Sequence, residues 1–141
     1  MLTLDRLNRL CQAREMLRDP RYFDRSVEDV ASAICLSKFH FIRQFKALFG
    51  ETPNRFRTRH RLEMAQRLLV LGEDSITDIC MAVGFSSLGS FSTLFARQFG
   101  QSPSTYRRWV AAGHGLTGRH CMELLHAAWQ SDRNFEEATP S

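Results

Sequence analysis

Apolar residues recur along this chain at intervals of three and four. Val27, Val30, Ala31 and Ile34 form one stripe of a 3.6-residue helix. The pattern breaks at Cys35-Leu36-Ser37 and resumes as Phe41, Phe45, Leu48 and Phe49. About fifty residues later the same events repeat. Ile76, Ile79, Cys80 and Val83 make a stripe, Gly84-Phe85-Ser86 interrupts it, and Phe91, Leu94, Phe95 and Phe99 follow. The copies run from Ser26 to Arg57 and from Ser75 to Arg107, with one extra residue expected near Leu88 and Gly89. Two copies are too few for a solenoid. A tandem pair suits a chain that touches one partner twice.

The punctuation marks each copy as helix, turn, helix. Ser26 and Ser75 stand where N-caps belong, with Asp29 and Asp78 three residues on, as in a capping box. Ser37 or Ser86 can cap the second helix. Gly50 and Gly100 suit its C-terminal end, and Pro53 and Pro103 follow. This is the helix-turn-helix pattern. Ahead of it, Leu7, Leu10, Cys11, Arg14 and Leu17 predict a helix over Leu4 to Arg18, stopped by Asp19-Pro20. Between the copies a long helix is expected from about Asn54 to Leu71, started by Pro53. Leu62, Ala65, Leu68 and Leu69 give it an apolar stripe, and Gly72 stops it. A last helix runs from Pro103 to about Ala112. The expected fold is all-α: two helix-turn-helix subdomains (1–52 and 73–112) joined by a long bridging helix (53–72). A tail, 113–141, is expected to be partly helical (Leu116 to Trp129) and disordered at its acidic end.

Charge sharpens the picture. The net charge is only +4, but Lys38 to Arg67 holds eight Lys/Arg against Glu51 and Glu63, a local +6. A basic segment on a helix-turn-helix is what phosphate binding needs. No run approaches the ~20 apolar residues of a membrane span, and the N-terminus MLTLDRLNRL lacks the apolar stretch of a signal peptide. The four cysteines are widely spaced and form no C-x-x-C pair, so a reduced, cytoplasmic chain is expected.

The segment RLEMAQRLL from Arg61, followed by SITDICMAVGFSSLGSFSTLFARQFGQSPSTYRR, resembles the signature of the AraC/XylS family of transcription regulators. The upstream SKFHFIRQFKALFGETP resembles that family's first helix-turn-helix. The likeness covers roughly Leu4 to Arg108, the length of such a DNA-binding domain. It implies seven helices, with two recognition helices entering successive major grooves on one face of double-stranded DNA. It also implies transcription activation and contact with RNA polymerase. Successive grooves lie about 34 Å apart, and eighteen helical residues (Asn54 to Leu71) span roughly 27 Å. One chain can then read two half-sites as a monomer. Many such regulators carry a further domain ahead of this one. With about 25 residues before the first copy, the expectation is a stand-alone regulator controlled by its abundance, or one whose tail senses something.

The residues expected to meet DNA lie opposite the phenylalanine face. In the first recognition helix they are Phe39, Ile42, Arg43 and Lys46, with His40 at the side and Ser37 at the cap. Arg43 is the best base reader, because its planar fork matches guanine O6 and N7; a phosphate contact is its main rival. Phe39 and Ile42 could meet thymine methyl groups, and for Phe39 packing on the preceding helix is the competing role. His40 suits a phosphate or a solvent-facing role rather than base reading. The second helix offers Ser86, Ser87, Ser90, Ser92, Thr93 and Arg97, with Gly89 and Ala96 between. Small hydroxyls discriminate weakly, so the first half is expected to supply most of the specificity. Cys35 stands where the second copy has Gly84. If that turn needs a positive φ the cysteine costs about 1 kcal/mol; otherwise the first turn has another shape.

Little else carries chemistry. His114, His120, Cys121 and His126 lack a firm metal-ligand spacing, and neither a phosphate loop nor an H-E-x-x-H is present. No cofactor, metal or catalytic residue is expected. Two rival readings remain: a helical interaction module that touches the transcription machinery without specific DNA binding, and a small metal-dependent catalyst built on the tail.

Overall fold

The computed structural model describes residues 2–114, which fall in two units, Met1–Pro103 and the described part of Ser104–Ser141. All regular structure among the described residues is helical: α1 (Leu4–Arg18), α2 (Val27–Ala33), α3 (Lys38–Phe49), α4 (Pro53–Leu71), α5 (Ile76–Ala82), α6 (Leu88–Phe99) and α7 (Pro103–Ala111). A single 3₁₀ turn, Pro20–Tyr22, follows α1. The expected helix and disordered end within 115–141 lie outside the described residues.

The caps explain the boundaries. The Ser26 hydroxyl accepts the Asp29 N–H at 3.0 Å, and the Asp29 carboxylate accepts the Ser26 N–H at 3.0 Å, completing a capping box. Ser75 accepts the Asp78 N–H at 3.1 Å. Thr52 caps α4 ahead of Pro53, whose missing N–H costs nothing at a first helical position. Gly50, Gly72 and Gly100 close α3, α4 and α6 in the left-handed region.

Two phenylalanine-centred cores form. The first contains Leu10, Ala13 and Leu17 of α1, Val30, Ala31 and Ile34 around α2, Phe41 and Phe45 of α3, and Phe56 of α4. Val27, Leu48 and Phe49 sit at its margin, half-buried. In the second half Ile79, Cys80, Val83, Phe91 and Phe95 are buried. Each fully buried phenylalanine contributes about 1.5–3 kcal/mol. Helix α4 packs on α1 and α3 and also on α5 and α6, so both halves share one beam. Its buried residues are Pro53, Phe56, Leu62, Ala65, Gln66 and Leu69; the expected Leu68 is half-buried. In the second unit Tyr106 and Trp109 of α7 pack ring to ring at 6.0 Å, and His114 stacks on Trp109.

Candidate nucleic-acid interface

Both turns that aim the recognition helices close in the same way. After α2, Leu36 N–H donates to Ala31 O (3.0 Å) and Cys35 N–H to Ser32 O (3.0 Å). After α5, Phe85 N–H donates to Cys80 O (3.1 Å) and Gly84 N–H to Met81 O (3.0 Å). These nested bonds are Schellman motifs, which need a left-handed residue. Cys35 supplies it at φ 59° and Gly84 at φ 87°. The first turn therefore has no different shape; the cysteine accepts the strain.

The turns differ afterwards by one residue. Leu36 leads directly to the cap Ser37, whereas Phe85 is followed by Ser86 and then by the cap Ser87. The extra residue of the second copy is thus Ser86 in the turn, not a position near Leu88 and Gly89. Ser86 does not cap α6. The Ser87 hydroxyl does so, accepting the Ser90 N–H at 3.3 Å. Counted from the caps, Phe39, His40, Ile42, Arg43 and Lys46 correspond to Gly89, Ser90, Ser92, Thr93 and Ala96.

On α3 the side chains of Phe39, His40, Arg43 and Lys46 are exposed, and Phe39 shows 69% of its surface. Phe39 therefore does not pack into the preceding helix. The Arg43 guanidinium lies over its ring, 5.6 Å from the centroid. That contact organises the arginine without consuming its donors. Ile42 is half-buried, less open than its expected place opposite the phenylalanine face, since it directly follows the buried Phe41 on the helix. The Ser37 hydroxyl accepts the His40 N–H (3.2 Å) and bonds His40 Nδ1 (2.8 Å). Ser37 is thereby occupied as a cap. Lys38, exposed at the first helical position, joins the basic group; its place one residue after the cap is the signal that marks it.

On α6, Ser86, Ser87, Ser90, Thr93 and Arg97 are exposed, whereas Ser92 is half-buried. The Thr93 hydroxyl donates to Gly89 O at 2.9 Å, which leaves its lone pairs for an outside donor. Leu88 adds an apolar surface at the start of the helix, 44% exposed.

The basic segment is smaller in space than in sequence. Arg57 donates to the Arg25 carbonyl and Arg61 to the Phe23 carbonyl. Arg59 is held by Glu51 and by Glu63, the latter at 3.2 Å. Burial alone would lower the Arg59 guanidinium; the bonds and charges of those two carboxylates outweigh it and raise it. The exposed cations of this stretch are Lys38, Arg43, Lys46, Arg55 and Arg67. Among the described residues no group of three or more His, Cys, Asp or Glu is placed to hold a metal ion. Most of the His/Cys cluster, His120, Cys121 and His126, lies outside them.

A family model described as a helix-turn-helix domain matches residues 30–108. The chain belongs to the AraC/XylS family of helix-turn-helix regulators. Among similar AraC/XylS relatives, the MmsAB operon regulatory protein of Pseudomonas aeruginosa is 35% identical over 99 residues, 70% of this chain and 32% of that protein. The transcriptional activator RhaS of Yersinia pestis is 37% identical over 105 residues, 73% of this chain and 38% of its own length. The chain thus spans about a third of the curated relatives it matches. The same architecture recurs in solved structures. The DNA-binding domain of AdpA, in complex with a target DNA, superposes with a TM-score of 0.65 at 29% identity, covering 77% of this chain and 95% of that one. The C-terminal domain of AraT, a response regulator from Geobacillus stearothermophilus, gives 0.66 at 31% identity, covering 71% and 84%.

Proposed function

We propose that this chain is a sequence-specific, double-stranded DNA-binding transcription regulator, and an activator. It sets α3 and α6 in successive major grooves as a monomer. The carrying observation is the pair of matched, capped recognition helices on one shared beam, α4, whose nineteen residues span roughly 28 Å. The working parts are 1–52 and 73–112, with 53–72 between them. Arg43 reads a guanine, Phe39 and Ile42 meet thymine methyls, and Lys46, His40 and Lys38 take phosphates. Ser87 and Ser90 present the N-terminal turn of α6 to the backbone, and Thr93 and Arg97 lie on its outer face. Ser37, Ser86 and Ser92 are secondary, since they are respectively a cap, a turn residue and half-buried. The activator names among the relatives support the sign of regulation, and RNA polymerase is the protein partner. No helix among the described residues is long and apolar enough to cross a membrane; the cytoplasm, where the DNA lies, is the proposed place of action.

The test is equilibrium binding to a mixed-sequence duplex across a salt series. Neutralising about five to seven phosphates gives log K falling linearly with log salt, with a slope of roughly −4.5 to −6.3. A helical module that touches only protein would show no such slope.

A further inference from the structure

Arg61 stands mid-way along α4, and its guanidinium faces both halves of the molecule. Its carbon lies 4.9 Å from the Phe23 ring centroid and 5.9 Å from that of Phe85, and one of its nitrogens donates to the Phe23 carbonyl. Phe23 belongs to the loop between α1 and α2, in the first half; Phe85 ends the Schellman turn of the second. Phe85 in turn packs on Phe91, in the core of α6, at 5.4 Å. The backbone closes on the same point. A Cβ placed on Gly84 would lie 2.8 Å from the Phe23 Cβ and 3.3 Å from the Arg61 Cζ. Cys35, at the equivalent turn of the first half, is exposed and tolerates its side chain. One turn earlier on α4, Arg57 pins the Arg25 carbonyl, so the 23–25 loop is tied to the beam twice. A cation between two aromatic faces and a carbonyl is held without a carboxylate. Burial, then the neighbouring Arg57 charge, pushes the Arg61 guanidinium down to about 10, so it stays charged at neutral pH.

A long helix sets the distance between two recognition helices but not the twist of one about the other. The joint after α4, at Gly72-Glu73-Asp74, is exposed and left-handed at Gly72. We propose that Arg61 is a positioning residue that clasps Phe23 to Phe85, locks the two helix-turn-helix halves in one relative orientation, and so restricts the chain to half-sites of one spacing. The DNA part rests on the proposed function; the clasp itself does not.

The experiment compares wild type with Arg61→Met, which keeps the stem and loses the cation, and with the milder Arg61→Lys. Amide residual dipolar couplings in an aligning medium read the geometry without DNA. In wild type the couplings of α2–α3 and α5–α6 fit one alignment tensor; in Arg61→Met they require two, and Arg61→Lys falls between. Binding is then measured on a selected two-half site, on the same site with one or two base pairs added or removed, and on the α3 half-site alone. Arg61→Met should lose about tenfold on the full site, as linked modules lose effective concentration, keep half-site affinity, and flatten the spacing preference. One unchanged tensor in Arg61→Met and Arg61→Lys, or equal losses on half and full sites, would overturn the clasp. Wild type that ignores sequence would instead sink the proposed DNA reading, and the couplings would still decide the clasp.

Discussion

Cys35 and Gly84 occupy the same left-handed corner and are held there for different reasons. Cys35 is exposed, so its cost is local backbone strain of about 1–2 kcal/mol. Cys35→Gly relieves that strain but loosens the unfolded chain, which offsets about 0.4–1 kcal/mol. Chemical denaturation should find this variant neutral or stabilised by up to about 1.6 kcal/mol. Gly84→Ala combines the strain with a 2.8 Å contact to Phe23 and should destabilise by more than about 2 kcal/mol. Equal effects at the two corners would mean the Phe23 contact is not made. Arg43 is the second residue with a sharp expectation. Arg43→Ala should cost roughly 1–3 kcal/mol on the preferred duplex and relax one base position. An equal loss on random DNA would make it a phosphate clamp.

At the scale of elements, each half depends on two phenylalanines that are fully buried. Phe45→Ala and Phe95→Ala should each cost roughly 3–5 kcal/mol, and thermal melts would register it. Helix α4 adds a pH dependence. His60 packs on Phe56 at 4.4 Å and lies 3.4 Å from Glu63. Burial, and then the charges of Arg59, Arg18, Arg67 and Arg14, push its imidazole down to about 3. At neutral pH His60 is therefore uncharged, and the Glu63 contact is not an ion pair. Because the folded value lies below the unfolded 6.5, the unfolded chain takes up the proton first. Stability is complete above pH 6.5 and falls as pH drops toward 3. The loss between pH 6.5 and 5 should be on the order of 1–2 kcal/mol. His60→Gln should flatten it; an unchanged slope would exclude His60 as the cause. These elements were legible in advance because period and caps act locally: Ser26, Ser37, Ser75, Pro53 and the glycines mark the ends. The one-residue shift was not, because Ser86 and Ser87 are equally good caps and only the geometry of the turn selects Ser87.

At the scale of the molecule, the repeat made the two-headed architecture readable, and the family likeness added its purpose. The reach of the arginines was hidden. Arg57, Arg59 and Arg61 count as positive in a sequence, yet two hold loop carbonyls and one is paired with Glu51 and Glu63. Nothing in the local pattern says that Arg61 meets Phe23 and Phe85, since those partners lie 38 residues before it and 24 after it in the chain. One chain, using α3 and α6 together, is proposed to read one asymmetric duplex site. Selection of bound sequences from random duplex DNA, with the complex weighed by analytical ultracentrifugation, tests it most directly. One protein per duplex should emerge, on an asymmetric site with two recognised patches about one helical turn, or 10–10.5 base pairs, apart. A symmetric site filled only by a dimer, or no enriched sequence at all, would contradict the account.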